Sequence, residues 1–366
     1  MIGFRFWLLA SVIWLGSIAS GSAQVSDSLD YDTLTQIFYL KGTKTPASGM
    51  FTLKYYRSKL QISFITCSGM MKAGKQEGVW KGYYENDKLQ AEGQFKQGLY
   101  EGLWKYYDEN GRLQQEGKHK QGKAEGLWKS YHTNGHVEQE GPFVQGQREG
   151  IWKFYDENAN LIQEGQCKQD NKEGHWKVYY QNGRLQEEGQ FKQGNKEGPL
   201  KVYYENGRLQ EEGQFKQGKQ QGLWKGYHES GQLKVEVQYN QGKKEGMCKD
   251  YHPNGQIESK GQYKQGEADG LWNYYHPNGK PDAEGLFVQG LEEGIWKSYY
   301  LNGKLKGEGH FIQGKREGTW KYYYENGKLQ SEEQYKQGKQ EGRWKIYDEK
   351  GQLEETITYK DGKPMK

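Results

Sequence analysis

A repeat of 24 residues constrains this chain more than any other feature. Leu200 and Cys248 occupy two positions of a twelve-position grid, and tryptophan occupies the others. Glycine precedes each grid position by two residues, from Gly78 to Gly342, and tyrosine follows each by three. The grid tryptophans are Trp80, Trp104, Trp128, Trp152, Trp176, Trp224, Trp272, Trp296, Trp320 and Trp344. The grid tyrosines are Tyr83, Tyr107, Tyr131, Tyr155, Tyr179, Tyr203, Tyr227, Tyr251, Tyr275, Tyr299, Tyr323 and Tyr347. Such regularity predicts stacked copies of one supersecondary unit.

The unit has the sequence pattern of a β-hairpin. Asn-Gly recurs at its centre, as in Asn110-Gly111 and Asn206-Gly207, and favours a two-residue type I′ turn because both residues tolerate positive φ. A short strand such as residues 103–107 precedes the turn, and an alternating strand such as residues 209–215 follows it. Links that contain glycine, such as residues 216–220, lead to the next hairpin. We therefore predict an all-β fold, an elongated antiparallel β-hairpin repeat array that forms a single-sheet meander resembling a solenoid.

The grid tryptophan and the grid tyrosine are three residues apart, which gives them opposite parity. A flat strand would place the two side chains on opposite faces. Two interpretations remain open at this point: a bulge lies between the two residues, or both faces of the sheet carry aromatic side chains.

The beginning of the chain predicts export. Arg5 supplies a positive charge, residues 6–19 are apolar, and Gly21, Ser22 and Ala23 are small residues suited to cleavage. We predict a signal peptide over residues 1–23, with cleavage after Ala23. An uncleaved anchor is the alternative. The expected location is therefore secreted, periplasmic or at the cell surface, with no integral membrane span after cleavage.

The rest of the chain divides by its pattern. Residues 24–77 are predicted to form an N-terminal cap with one degenerate repeat, and residues 78–365 to form twelve tandem repeats. The C-terminal unit is atypical because Thr356 to Tyr359 replaces the usual Glu-Gly, as expected of a terminal repeat.

Composition decides between disorder and an unusual core. The mean hydropathy of −1.14 resembles that of a disordered chain, but 12 Trp, 29 Tyr and 12 Phe and a net charge of only +4 do not. We expect the aromatic residues to form the core in place of aliphatic ones, with some rings left for a ligand. Cys67, Cys167 and Cys248 are too few and odd in number for a disulfide framework.

The unit resembles a known repeat. The residues from Gly174 and Trp176 through Tyr179, Asn182-Gly183 and Leu185 to Gly194 are similar to the MORN-repeat variant, and bacterial proteins of this type are often labelled YwqK-family antitoxins. The resemblance covers about four-fifths of the chain. It implies β-hairpin repeats and a binding or scaffolding role, and it implies no catalytic residues.

The recurring residues do not predict an active site, since an enzyme needs one unique constellation of groups. Glu164, Glu188 and Glu212 have matching environments, which is typical of a solvated face rather than of an acid–base pair. Neighbouring histidines of one row would lie roughly 10 Å apart, too far to share a zinc ion. That row comprises His132, His228, His252 and His276. We expect no enzyme activity, no cofactor and no metal.

The remaining function classes are binding modules. We expect an exported protein-binding scaffold whose many similar contacts add up along the array. A cell-wall or surface glycan that stacks on Trp and Tyr is an alternative, and toxin neutralisation of the YwqK type is another. Nucleic acid is not an expected partner, because the charge is nearly balanced and no basic run occurs.

Overall fold

The computed structural model describes residues 29–32, 34–55 and 65–365, which form 32 β-strands and no helix. The predicted signal peptide lies outside the described residues. Among the described residues, none belongs to a helix that could cross a bilayer. The chain divides into two compact units between Lys172 and Glu173. The all-β prediction is confirmed.

The first unit contains a small hairpin followed by an antiparallel meander, in which two short segments, residues 147–148 and 150–155, both pair with residues 137–144. Its strands are β1 (Leu29–Asp32), β2 (Ile37–Leu40), β3 (Gly49–Tyr55), β4 (Ile65–Lys72), β5 (Lys75–Tyr83), β6 (Leu89–Lys96), β7 (Leu99–Tyr107), β8 (Leu113–Lys120), β9 (Lys123–Tyr131), β10 (Val137–Val144), β11 (Gln147–Arg148), β12 (Gly150–Tyr155) and β13 (Leu161–Lys168).

The second unit continues the same alternation of strands, and the boundary between the units falls within β14. Its strands are β14 (Asn171–Tyr179), β15 (Leu185–Lys192), β16 (Asn195–Tyr203), β17 (Leu209–Lys216), β18 (Lys219–Tyr227), β19 (Leu233–Asn240), β20 (Lys243–Tyr251), β21 (Ile257–Lys264), β22 (Glu267–Ala268), β23 (Gly270–Tyr275), β24 (Pro281–Val288), β25 (Leu291–Tyr299), β26 (Leu305–Ile312), β27 (Lys315–Tyr323), β28 (Leu329–Lys336), β29 (Lys339–Gln340), β30 (Gly342–Tyr347), β31 (Leu353–Lys360) and β32 (Lys363–Pro364).

The turn that contains Asn-Gly is not a two-residue type I′ turn, so that prediction is wrong. Asp108 N–H donates to the carbonyl of Arg112, and Gly111 N–H donates to the carbonyl of Asp108, which closes a three-residue loop. Gly111 has a φ of 83°, whereas Asn110 is not among the residues with positive φ. This pattern is that of a turn followed by a left-handed glycine, the usual three-residue hairpin. Asn110 N–H is bound by the Asp108 carboxylate, which fixes the loop from within.

The type I′ geometry occurs in the links between hairpins instead. Gln97 and Gly98 have φ of 52° and 80°, and the flanking residues Lys96 and Leu99 pair with each other. Positive φ at both central residues is the requirement of a type I′ turn. The same Gln-Gly pair with positive φ recurs in most later links, so the two kinds of turn alternate along each unit.

The second interpretation of the tryptophan–tyrosine spacing is correct, because both faces of the sheet carry aromatic side chains, and the bulge residue, Ile162, lies in the partner strand rather than between the two aromatic residues. The register with the following strand shifts just before the grid tyrosine, since Phe154 pairs with Gln163 and Tyr155 with Leu161. The tryptophan and tyrosine side chains nevertheless lie on opposite faces of the sheet. We call these the Trp face and the Tyr face, and each has its own set of contacts.

The N-terminal hairpin packs on the start of the meander in the first unit. Phe38 and Gly74 share a backbone hydrogen bond of 2.8 Å, and Gly74 N–H donates to the carbonyl of Ala47 at 2.7 Å. Ala47, Leu53 and Met71 are fully buried beside the first grid tryptophan. This aliphatic cluster supplies a core at the end of the unit where no preceding repeat covers the sheet.

Candidate binding surface

On the Trp face, eight of the indole rings lie flat against a glycine of the preceding hairpin, whereas Glu333 occupies that position before Trp344. Gly117 lies directly beneath Trp128, and a methyl group at Gly117 would overlap the ring. The indole N–H of Trp128 donates to the carbonyl of Lys118 at 3.0 Å. Nine grid tryptophans make this bond to the residue ten positions earlier, at 3.0–3.3 Å. The ring therefore joins consecutive repeats.

A second layer of side chains covers the indole rings. The guanidinium carbon of Arg148 lies 4.3 Å from the ring centre of Trp152, and Arg316 lies 4.4 Å from Trp320. Tyr100 occupies the equivalent position four residues before Trp104, with ring centroids 4.5 Å apart. Phenylalanines of the flanking strands meet the rings edge-on. As a result, the grid tryptophans are buried, apart from Trp296 and Trp344, which are partly buried.

The two repeats without tryptophan show what the contact requires. Cys248 occupies a grid position whose partner in the preceding hairpin is Val237 rather than glycine, and the two are paired in register. Valine would block an indole ring, while cysteine leaves room for it. Leu200 lies on Gly189, with its Cδ1 atom 2.8 Å from the position of a β-carbon there. Both substitutes are buried and apolar.

The three cysteines are buried thiols without disulfides. Burial raises the pKa of Cys67 to about 12 and the pKa values of Cys167 and Cys248 to about 11. Thiols held protonated in this way are poor nucleophiles. They fill apolar positions of the Trp face.

On the Tyr face, each grid tyrosine takes part in a ladder of polar contacts. The hydroxyl of Tyr131 donates to the carboxylate of Glu116 in the preceding repeat at 2.6 Å, and Lys105 forms an ion pair with the same carboxylate at 3.6 Å. Eight grid tyrosines make this bond, at 2.6–3.2 Å. Burial, followed by the bond to Glu140, raises the pKa of Tyr155 to about 12. The glutamates that the sequence analysis assigned to a solvated face thus join consecutive repeats.

The ladder changes where lysine replaces the glutamate. At Tyr275 the residue of the preceding hairpin is Lys260, whose ammonium lies 5.3 Å from the tyrosine ring centre. A cation over the ring face replaces the hydrogen bond. All twelve grid tyrosines are partly buried, and at least eight of them are engaged through their hydroxyl groups.

The sequence analysis missed a row of exposed apolar side chains on the Tyr face. The residue before the grid tryptophan points away from the indole ring, because neighbouring residues of a strand alternate between faces. Four consecutive repeats of each unit place Val, Leu, Ile or Met there, between 42% and 64% exposed. The first apolar row is Val79, Leu103, Leu127 and Ile151, and the second is Leu223, Met247, Leu271 and Ile295. The repeated Gly-apolar-Trp-Lys motif was the available signal.

The two turn edges of each hairpin also bind the next repeat. At one edge the carboxylate of Glu125 accepts the N–H of Gln145, in the type I′ turn, at 3.1 Å. Ten glutamates make this contact at 2.7–3.2 Å, and Gln221 makes it through its amide oxygen. A bound N–H helps glutamine hold the positive φ that the turn demands, a conformation uncommon for this residue type.

At the other edge, the histidine row contacts the backbone. His132 Nε2 lies 2.9 Å from the carbonyl oxygen of Tyr155, and His252 Nε2 lies 2.7 Å from that of Tyr275. In other repeats a tyrosine hydroxyl, such as that of Tyr84, makes the equivalent bond. No cluster of three or more metal-ligating side chains occurs among the described residues. The histidines join repeats.

These contacts define what the surface can do. The indole rings, most of the grid tyrosine hydroxyls and the turn glutamates take part in contacts between repeats. The side chains that recur at the centre of the Tyr face are the exposed apolar rows and, after most grid positions, a lysine such as Lys81, Lys105 or Lys129, which pairs with a glutamate of the same hairpin. Such an arrangement offers repeated shallow contacts.

The sequence matches the model of the family described as "MORN repeat variant" in twelve segments. The segments are residues 76–97, 100–121, 124–145, 148–168, 172–193, 196–217, 220–241, 244–265, 268–289, 292–313, 316–337 and 340–361. No curated protein matches the chain. Among solved structures, one described as "Crystal Structure of TcdB2-TccC3 without hypervariable C-terminal region" is similar at 12% identity and a TM-score of 0.14. The similarity covers 87% of this chain and 18% of that one.

Proposed function

This chain belongs to the MORN repeat variant family, and from that premise we propose that it is an exported, non-enzymatic scaffold that binds protein through its Tyr face. One observation carries the proposal: an exposed apolar residue, followed two positions later by a lysine, recurs on this face in consecutive repeats. Repetition multiplies a weak contact into a strong one without requiring a deep pocket.

The burial of the Trp face favours protein over glycan as the partner. Stacking on sugars needs an open aromatic ring, yet the indole of Trp152 is covered on one side by Gly141 and on the other by Arg148. Leucine and isoleucine at the centre of the Tyr face are instead suited to the apolar side chains of another protein. Calorimetry with purified cell-wall polysaccharides tests the glycan alternative, and a saturable heat would favour it.

Binding along an array differs from catalysis at one site in its response to mutation. The partner is first captured by the full chain from the extracytoplasmic fraction of the native host, then purified. The affinity of this partner is then measured for the native chain and for variants of the chain. Each variant has the apolar residue of one repeat changed to glutamine. The proposal expects several variants to weaken binding by a similar few-fold factor.

Two results would contradict this function. Complete loss of binding or of a chemical turnover on altering one repeat, with no effect elsewhere, would indicate a single site. Mass spectrometry of the purified protein identifies its N-terminus. An intact N-terminus on protein from the cytosol would contradict export and favour the toxin-neutralising alternative.

A further inference from the structure

One tyrosine on the Trp face of the first unit packs against two indole rings at once. Tyr106 follows Trp104 by two residues on β7, and its ring centroid lies 6.1 Å from that of Trp104 and 6.3 Å from that of Trp128. The interplanar angles are 25° and 24°, so the tyrosine ring lies nearly parallel to both indoles. Electron transfer between rings weakens steeply with their separation. Tyr106 is therefore well placed to give an electron to either indole.

The hydroxyl of this tyrosine meets an imidazole. The Tyr106 oxygen lies 3.3 Å from His119 Nε2, and it donates to that atom when the imidazole carries its own proton on Nδ1. Burial lowers the pKa of His119 to about 4, so the ring is neutral near pH 7 and can accept a proton. The other titratable group that faces it is Tyr100, whose ring centroid is 5.1 Å away. Strand β9 places Ala124 and Trp128 against it, and neither side chain titrates.

The second unit contains the same ring contacts without the imidazole. The Tyr274 ring centroid lies 6.1 Å from that of Trp272 and 6.5 Å from that of Trp296. Phe287 occupies the position in this repeat that His119 occupies in the other. A phenyl ring cannot take a proton, so the two tyrosines differ in whether their hydroxyl has a base beside it.

We propose that Tyr106 is a one-electron redox site, which takes oxidising equivalents from the tryptophans of the first unit by releasing its proton to His119. This activity is separate from the binding function proposed above. The co-reactant is a one-electron oxidant in the solvent, such as a radical or a high-potential metal complex. Because the array is a single sheet, each indole lies within about one side-chain length of solvent, and the oxidant needs no pocket.

The reaction balances in electrons and protons. The oxidant removes one electron from Trp104 or Trp128 and leaves an indole radical cation. Tyr106 passes one electron to that cation, and its hydroxyl proton moves to His119 Nε2. The products are a neutral indole, a neutral tyrosyl radical and an imidazolium, so the positive charge is conserved. A one-electron reductant such as ascorbate returns the electron, and the imidazolium returns the proton.

Ring contact distinguishes Tyr106 from the grid tyrosines. Tyr131 also has a proton acceptor, because its hydroxyl donates to the Glu116 carboxylate at 2.6 Å. Its ring, however, lies on the Tyr face, with the backbone of the sheet between it and the indoles. An electron leaves Tyr106 over a shorter distance. Oxidation of Tyr106 restores the indoles that join consecutive repeats before they react further.

Flash oxidation of the full chain tests the proposal. A photo-oxidised ruthenium tris-bipyridine complex supplies the oxidant, and electron paramagnetic resonance of rapidly frozen samples identifies the radical. The native chain should give a tyrosyl signal, and Tyr106→Phe should remove most of it. Tyr274→Phe is the matched control and should leave the signal at the native level. A tyrosyl signal that is unchanged in Tyr106→Phe, or reduced equally in both variants, would overturn the proposal.

The proton acceptor is tested by exchanging the base between the two sites. His119→Phe should replace the tyrosyl signal of the first unit by a tryptophan radical, whereas Phe287→His should add a tyrosyl signal that Tyr274→Phe removes. The native tyrosyl yield should fall as pH drops through about 4, where His119 is already protonated. A purely structural role for His119 predicts the native pH profile in His119→Phe, and that result, or no gain in Phe287→His, would contradict the proposal.

Discussion

The contact between Gly117 and Trp128 provides the sharpest test of how the repeats are joined. A β-carbon at Gly117 would lie well inside the ~3.5 Å separation of touching carbon atoms, and the atoms it meets belong to a rigid indole ring. Gly117→Ala therefore forces the ring outward. Overpacking of this kind costs about 2 kcal/mol, and the bond from the indole N–H to Lys118 is worth about 1 kcal/mol. We expect the opening free energy of this region to fall by about 3 kcal/mol.

Native-state hydrogen exchange, read by mass spectrometry on peptides that cover strands β8 and β9, measures that opening. Gly82→Ala is the matched control. Its β-carbon would have the Cys67 sulfur as nearest neighbour at 3.2 Å and lies under no indole ring, so its cost should stay below about 1 kcal/mol.

The chain itself supplies a double-mutant cycle for the same contact. Because Val237 coexists with Cys248, a bulky residue at the glycine position should be tolerated once the tryptophan is gone. Gly117→Val should therefore cost far less in a Trp128→Cys background than in the native chain, with a coupling energy of at least about 2 kcal/mol. Equal costs in the two backgrounds, or an Ala variant with unchanged exchange, would refute the reasoning.

The other inter-repeat contacts give further predictions. Tyr131→Phe removes the 2.6 Å bond to Glu116 and should lower the free energy of unfolding by about 1 kcal/mol, measured by urea denaturation. Since burial and this bond raise the tyrosine pKa above its ordinary value of 10.0, the tyrosine stabilises the fold below pH 10, and that contribution is lost as pH rises further. The variant should show a smaller alkaline loss. Burial lowers the pKa of His119 to about 4. His119→Phe removes the unpartnered Nδ1 atom but also the 3.3 Å hydrogen bond between Nε2 and the Tyr106 hydroxyl, and these opposing effects of about 1 kcal/mol each should leave the stability at pH 7 nearly unchanged. The native chain should lose stability relative to the variant as pH drops from about 6.5 towards 4, because the buried imidazole resists protonation. Thermal melts of both proteins measure this effect. A difference in melting temperature that does not widen in acid would contradict it. Glu125→Ala should lower the free energy of unfolding by about 1 kcal/mol, because it leaves a turn N–H without its acceptor. Glu125→Gln should be nearly neutral, because Gln221 makes the same contact naturally. Equal losses for the two variants in urea denaturation would contradict this.

Much of the architecture was predictable, because the 24-residue period shows directly where each structural unit begins and ends. Glycine, tryptophan and tyrosine at fixed offsets indicate one hairpin per repeat, and the scarcity of aliphatic residues identifies the tryptophans as core. Parity correctly places Gly213 and Glu212 on opposite faces of the second strand, since Gly213 lies beneath Trp224 and Glu212 binds Tyr227, but it fails at Leu209, which a register shift pairs with Tyr203. These features depend on local alternation, which sequence records directly.

The turns were harder to predict because side chains from neighbouring repeats decide them. Asn-Gly suggests a type I′ turn by intrinsic preference, yet the amide of Asn134 donates to the carbonyl of Glu157 in the next turn, and its oxygen accepts from the N–H of His136. Gln-Gly has a weaker preference, but Glu125 binds the N–H of Gln145 and supports the positive φ there. Contacts 20 to 23 residues apart in sequence override propensity at both edges.

The binding surface was the least predictable part. Leu103 and Leu127 look like core residues in sequence, since they adjoin a buried tryptophan, and only their parity indicates that they face outward. The aromatic residues were expected to leave some rings for a ligand. Their polar groups instead form hydrogen bonds to the preceding repeat, as in Trp128 and Tyr131. The residue types alone therefore predicted the core well and the exposed surface poorly.

Site-specific photo-crosslinking in the native host tests the central claim most directly. A photoreactive phenylalanine analogue is placed at Leu127 on the Tyr face and, in a second chain, at Ser130, which pairs in register with Gln139 on the Trp face. The account predicts protein adducts from the chain substituted at Leu127 and few from the chain substituted at Ser130. Adducts that form mainly from Ser130, or protein adducts from neither position together with saturable binding of a polysaccharide, would contradict the claim that the Tyr face binds protein.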